Sequence, residues 1–471
     1  MFRFVRYAFV LSLLAASSQA ITIHVDGSTY ACSDVGITQA INDLPGGHSG
    51  VVIVDGCSGN VPISRTVSIP QGVDLVLQPA FYQAHACPAF SIDGEAGVLE
   101  GTGQGNPQAD TSTGHPTIIQ AATGCTGSIV RININAGSKG GTIRNLRIAG
   151  NSTATAGIEI GPIPQIERNI VRDVSIGGLL TGSSCLLVDG GPTQGAAGLL
   201  VDNLSAQLCA TGLNLAGDNL NGITIQNSRI TCSQQAVPCY VVGSDLPDQP
   251  GQHHGSEDIS FINDDIETVG SAPTMVGKLQ NVVAFKLIGG RHEAGGTMHG
   301  PNGAMLVIGD LSVSANNPSI IGTFFQGNAL ANYGIEFAST FWPNVNGVFF
   351  FQMNTSGIRN TSKNTGGTVL ASRPDSSSSP IDDVTGISMV NNQANIANSY
   401  PIFGQGVLVA GQGVVIAAGV APTTTSGQVG FGSTTANTEM PGASGVLPDQ
   451  VAGYLIVNIG GQNYKIPFFN P

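Results

Sequence analysis

The chain has 471 residues, among them 65 glycines, with only 10% charged and 6% aromatic residues and a formal net charge of −13. Its apolar residues, 41% of the total, are too many for a disordered chain. The acidity is diffuse and Lys and Arg are not clustered, which argues against binding to a nucleic-acid backbone but leaves a polysaccharide partner open. Abundant Gly, Asn, Ser and Thr with short β-branched runs read as all-β with many tight turns.

Residues 1–20 carry Arg3 and Arg6, then an apolar run, then small residues ending Ser18-Gln19-Ala20. This is the pattern of a secretory signal peptide cut after Ala20. A secreted, periplasmic or cell-surface location follows, and no later stretch is apolar enough to span a bilayer. All eight cysteines lie beyond this segment. An even count in an exported chain points to disulfides. Pairing neighbours in order (Cys32–Cys57, Cys87–Cys125, Cys185–Cys209, Cys232–Cys239) is the expectation, although spacing alone does not fix connectivity.

Residues 21–139 are expected to hold an N-terminal cap and the first coils. From 140 to 365 the sequence repeats loosely. "TIRNLRIAGN", "NIVRDVSIGG", "GLLVDNLSAQ", "GITIQNSRIT", "DISFINDDIET" and "VVAFKLIGGRHEA" are short apolar strands, each with a polar turn. Aligned, they put Asn145, Asp173, Asn203, Asn227 and Asn263 in one column. "AGIEI", "TGLNL" and "YGIEF" form a second strand type between them. Repeats of this length without a 3.6-residue period predict a β-solenoid. In such a coil alternate side chains point inward, and stacked amides can bond along a turn column. "SIIGTFFQGN" and "NGVFFFQMNTSG" continue the pattern.

The secreted start, the Asn-bearing turns and coils such as "GITIQNSRI" resemble the pectate-lyase-like superfamily over roughly residues 30–365. That group contains polysaccharide lyases, glycoside hydrolases and phage tailspikes. The resemblance implies a right-handed, single-stranded parallel β-helix, and "ITQAINDLPGGHSGVVIVDG" resembles its capping helix and first strand. Residues 366–400 read as a linker or cap. Residues 401–471 read as a small Gly/Val-rich β module. Within it, "YLIVNIGGQNYKIPFF" forms a hairpin turning at Gly460-Gly461. This module either packs on a second copy of the chain, giving a homo-oligomer, or folds back on its own coil.

The chemistry-bearing residues concentrate in two successive coils. Laying "DISFINDDIETV" on "FKLIGGRHEA" gives one outward column Arg229, Asp265, Arg291 and a second column Thr231, Glu267, Glu293. Alternating charge in the first column is what a salt-bridge ladder would show. The second stacks two glutamates, which repel, and such a pair suits glycoside hydrolysis. Against that stands the plain reading that both face water with splayed side chains. Glu267 and Glu293 are the catalytic candidates, with Asp264 and Asp265 in support.

Arg291, His292, His254 and Trp342 are candidates for substrate contact. His292 aligns with inward Ile266, which favours a core role, and Trp342 reads more readily as buried than as a sugar platform. No cofactor is expected for a hydrolase. The lyase branch implies calcium held by turn carboxylates such as Asp264, yet its string of aspartates is poorly matched here. The sequence therefore points to an exported protein that binds and cleaves polysaccharide or a cell-surface glycan by hydrolysis. A calcium-dependent lyase and a non-enzymatic surface or adhesion rod are the alternatives.

Overall fold

The computed structural model describes residues 21–45, 49–57, 59–104, 116–133, 138–161, 166–190, 197–215, 217–232, 237–247, 254–270, 275–299, 301–310, 313–362, 366–370, 372–374, 388–390, 413–416, 428–431, 435–436, 451–459 and 462–469. Residues 1–20, expected to be a signal peptide, lie outside them. Contacts divide the chain into two units, Met1–Ile402 and Phe403–Pro471.

The first unit is a parallel β-helix. Each turn of the coil contributes up to four short strands, and each strand pairs in parallel with its counterpart one turn on. In one turn these are Ser256–Glu257, Ser260–Ile262, Asp265–Val269 and Gly277–Leu279. The next turn supplies Val282–Val283, Lys286–Ile288, Arg291–Gly295 and Ala304–Ile308 in the same order. We number these four faces one to four. Face two stacks Ile143, Val171, Val201, Ile225, Phe261, Leu287, Ile320 and Val345 inside the coil. Face three stacks Ile148, Ile176, Ala206, Ile230, Ile266, His292, Phe325 and Phe350. All of these are buried. Each large aliphatic or aromatic member contributes roughly 1.5–3 kcal/mol by leaving water, which is why strict alternation specifies the coil.

The corners between faces explain the Asn column. Asn145, Asp173, Asn203, Asn227 and Asn263 all have φ between 52° and 56°. They form the one-residue bend between faces two and three, where the backbone must be left-handed and Asn or Asp is the tolerated side chain. Amide bonding along the stack is a lesser part of it. Asn203 Nδ2 donates to Asp173 Oδ1 at 2.7 Å, whereas Asn227 Nδ2 donates sideways to Asp202 Oδ1 at 3.1 Å. Further along, the same bend is taken by Gly289, Gly322 and Gly347. A second left-handed column, between faces one and two, runs through Asp258, Ala284, Asn317, Trp342 and Gly366.

The N-terminal end is closed as expected. The helix Asp34–Asn42 buries Ile37, Ala40 and Ile41 against the strands Thr22–Val25, Gly50–Val54 and Val67–Ile69. Thr22–Val25 lies outside Gly50–Val54 in register, so the sheet begins one strand earlier than the sequence resemblance placed it. An uncovered first rung would expose unpaired edge and core.

Four disulfides join Cys32–Cys57, Cys87–Cys125, Cys185–Cys209 and Cys232–Cys239, the neighbour pairing expected from the sequence. Among the described residues no helix is long and apolar enough to cross a membrane. In the second unit, Gly413–Ile416 pairs in parallel with Gln428–Phe431. Val451–Ile459 pairs antiparallel with Gln462–Phe469, bringing Ile459 opposite Gln462. Gly460 and Gly461 lie outside the described residues.

Candidate active site on the third face

Face three carries the glutamates. The register places Arg229 beside Asp265 and Asp265 beside Arg291, with Thr231, Glu267 and Glu293 in the next outward column. Both columns are those read from the sequence. They continue into two further rungs, where Phe324 and Gln326 follow Arg291 and Glu293, and Phe349 and Phe351 come next.

Arg291 organises the polar part. Its Nε and Nη2 donate to the two oxygens of Asp265 at 2.9 and 3.1 Å, and its Nη1 lies 2.7 Å from Glu293 Oε2. The other Glu293 oxygen accepts from Gln326 Nε2 at 3.1 Å and Asn328 Nδ2 at 2.9 Å. Asn328 reaches it from a left-handed backbone, φ 52°, just past the strand Phe324–Gln326. Glu293 is thus held in place by three donors, two on one oxygen and one on the other.

Glu267 is its opposite. Among the described residues its carboxyl has no hydrogen bond or ion pair. Burial raises its pKa above the ordinary glutamate value, and the Glu293 charge raises it further; Arg291 and Arg229 pull it back in part. Adjacent rungs lie roughly 4.8 Å apart, so the two glutamates leave the backbone side by side, about one strand spacing apart on the same face. One carboxyl anchored by three donors beside one unbonded carboxyl with a raised pKa is the asymmetry that separates an acid from a nucleophile or base.

The remaining sequence candidates lie elsewhere or point inward. Asp264 is fully buried in the corner, where its oxygens accept from the Ser228 and Ile262 backbone N–H groups at 2.8 and 3.0 Å. Burial pushes its pKa up to about 7 against those two bonds. It therefore ties its own corner to the corner of the previous rung rather than reaching outward. His292 is fully buried below the glutamates, and its Nε2 lies 3.0 Å from the Tyr240 hydroxyl. Burial lowers its pKa to about 3. It packs edge-on to Tyr240 and tilted against Phe325. A substrate does not reach it.

His254 is buried beside face one, 3.1 Å from Asp218, and is not part of the glutamate cluster. Trp342 corrects the expectation of burial: it is 61% exposed, and it occupies the left-handed corner between faces one and two at φ 49°. That bend separates it from the glutamates by the whole width of face two.

A calcium ion finds a poor ligand set here. Asp265 is committed to Arg291 and Asp264 to backbone amides. Among the described residues no three His, Cys, Asp or Glu side chains are grouped to hold a metal. The aromatic rungs are what sequence reasoning missed. "FFQ" and "FFF" were legible as further coils, but only the full register shows Phe324, Phe349 and Phe351 pointing outward in line with the carboxyls. Phe324 and Phe349 stack at 5.2 Å with planes 10° apart, and Phe351 lies 6.1 and 6.4 Å from them.

No family model matches the chain, and no curated protein sequence matches it. Among solved structures, an alginate lyase from a Paenibacillus strain is similar, at 9% identity and a TM-score of 0.40, over 79% of this chain and 98% of that one. The A-module of a mannuronan C-5 epimerase from Azotobacter vinelandii matches at 13% identity and a TM-score of 0.44, covering 80% and 98%. A surface adhesin of Streptococcus pneumoniae matches at 10% identity and a TM-score of 0.35, covering 79% and 90%. The fold assignment rests on the strand register described above.

Proposed function

We propose that the chain is an exported glycoside hydrolase acting on a polysaccharide, with Glu267 as general acid and Glu293 as nucleophile. The observation that carries this reading is the placement of Glu267 beside Glu293 on adjacent rungs, the first unbonded with a raised pKa and the second anchored by three donors. The rung spacing of roughly 4.8 Å falls near the roughly 5–5.5 Å separation of retaining enzymes rather than the wider inverting one. The four disulfides support folding in an oxidising compartment.

In the first step the Glu293 carboxylate attacks the anomeric carbon while Glu267 gives its proton to the glycosidic oxygen. The C–O bond breaks, the leaving sugar departs as an alcohol, and a glycosyl ester forms on Glu293. Glu267, now a carboxylate, takes a proton from water as that water attacks the anomeric carbon, and the ester bond to Glu293 is released. Arg291 holds Glu293 in place throughout and tempers the repulsion between the two acids.

The test is reducing-end release from a panel of plant, bacterial and capsular polysaccharides, with absorbance of unsaturated uronide products followed in parallel. Cleavage without that absorbance, abolished by Glu267→Gln and by Glu293→Gln, is the expected result. Cleavage with the absorbance and a calcium requirement would replace the hydrolase by a lyase. A panel with binding but no cleavage would make the coil an adhesion rod.

A further inference from the structure

Resting on the reading just given, we propose that Tyr240 and His292 are positioning residues: the bond between them, inside the coil, fixes the strand Arg291–Gly295 and so holds Glu293 in place beside Glu267. Three observations converge. The first is where the polar residue falls. The inward stack of face three runs Ile148, Ile176, Ala206, Ile230, Ile266, His292, Phe325, Phe350, and of these eight only His292 is polar. It stands between Arg291 and Glu293, on the strand that carries the anchored carboxyl. The rung before, which carries Glu267, has Ile266 at the same place.

The second is how the tie is made. Tyr240 starts on face four, in the strand Tyr240–Val242, two rungs before His292. Its side chain leans through the interior of the coil, so that its hydroxyl lies 3.0 Å from His292 Nε2. Its register partner on the next rung is Gly277, where a Cβ would sit 2.0 Å from Tyr240 Cζ and 2.4 Å from the hydroxyl oxygen. The missing side chain is the slot that the tyrosine fills. Phe261 lies 5.0 Å from the phenol ring and Phe325 lies 5.2 Å from the imidazole. Tyr240 and His292 are both fully buried.

The third is energetic. Two buried polar groups stabilise the core less than two apolar groups of the same shape, since their bond only offsets what they lose from water. What the pair adds is direction. Apolar packing is non-directional, whereas a hydrogen bond sets a distance and an angle. Glu293 is held from two sides, its carboxyl by Arg291, Gln326 and Asn328 and its strand by the tie beneath. A nucleophile needs that precision, because a misplacement of about 1 Å can cost about 10²-fold in rate.

The experiment uses three variants of the full chain. Tyr240→Phe deletes one oxygen. The double change Tyr240→Phe with His292→Phe removes both polar groups and keeps two rings. His292→Gln keeps an amide that can meet the tyrosine hydroxyl. The double variant should melt close to the parent temperature, because neither polar group is left unpaired. We expect its kcat to fall about 10–100-fold with KM unchanged, since the outward side chains stay the same. Tyr240→Phe should show the same split, and His292→Gln should keep more of the rate than the double variant. Hydrogen exchange gives a reading that needs no substrate: in the double variant the amides of Arg291–Gly295 should exchange several-fold faster, and those of Asp265–Val269 should not. A folded double variant with the parent kcat overturns the proposal. So does a KM that rises while kcat holds, or exchange that quickens equally in both strands. A parent chain that cleaves no polysaccharide fails the hydrolase reading instead, and the exchange contrast then decides whether the tie holds the strand.

Discussion

Faces three and four of the coil handle charge differently. Face four presents one outward column, running Arg131, Glu159, Leu187, Asn214, Val241, Lys278, Val307, Glu336, Arg359. Within it every acid meets a base or a neutral residue, and Arg131 lies 3.3 Å from Glu159. Face three keeps that rule in its Arg229–Asp265–Arg291 column and breaks it once, one column over, where Glu267 meets Glu293. A solenoid can satisfy charge rung by rung, and face four shows it doing so. The exception on face three is therefore informative, and it coincides with the outward aromatics. Close acids alone are not the signal. Asp189 also has a raised pKa, mainly from burial and then from Glu159 and Asp218. It sits where the strand Asn169–Val188 ends, and it has no register partner of like charge.

The sharpest way to break this contrast is to neutralise the exception. Glu293→Gln and Glu267→Gln should each lower the cleavage rate by about 10²–10⁴-fold. Glu267→Gln should melt at or above the parent temperature, because a repulsion is removed, whereas Glu293→Gln also gives up its ion pair with Arg291 and should melt slightly lower. A large fall in melting temperature with unchanged rate would make the pair structural.

Asp264, beneath the same strand, tests how the face is held. Its folded pKa, about 7, lies above the ordinary aspartate value near 4. The native state then binds the extra proton between those values, so stability falls as pH rises from about 4 to about 7, by an amount of the order of a few kcal/mol. Asp264→Asn removes that slope. Melting curves at pH 5 and pH 8 should show the parent losing ground to the variant as pH rises, and parallel behaviour would mean that the two backbone N–H bonds outweigh burial.

A converse experiment introduces the exception on face four. Arg359→Glu puts a second acid beside buried Glu336. It should cost about 1–3 kcal/mol and confer no activity, read by denaturant unfolding and by the same cleavage assay. The smallest effect is expected from Arg229→Ala. Arg229 holds the Glu267 pKa down, so its loss should move the alkaline limb of the rate profile to higher pH. A limb that stays put, or moves lower, would remove Glu267 as the acid.

Much of the fold was legible because a coil repeats. Asn145, Asp173, Asn203, Asn227 and Asn263 could be aligned by eye, and the alignment carried Glu267 onto Glu293 without any structure. The physical cause of the column was less legible. A left-handed bend selects Asn and Gly alike, so the column seemed to end where Gly289, Gly322 and Gly347 take it over. That takeover hid the outward phase of Phe324, Phe349 and Phe351. Trp342 was misplaced for a related reason: a bulky aromatic is not expected in a left-handed bend, and only the register with Asn317 and Gly366 shows it at a corner. His292 and Asp264 could be assigned to a strand or a turn, but their burial depends on the neighbouring rungs that cover them.

The cysteines divide the molecule by durability. All four bonds close within residues 32–239, over separations of 25, 38, 24 and 7 residues. The rungs from Tyr240 to Leu370 contain none. A reducing medium would slacken the early coils and leave the glutamate and phenylalanine rungs with the same hydrogen bonds and packing as before. Pulling on the coil from its later end would meet no covalent stop until Cys239. The part that carries the candidate site is thus free to be peeled, swapped or extended a rung at a time, while the part that starts the coil is riveted.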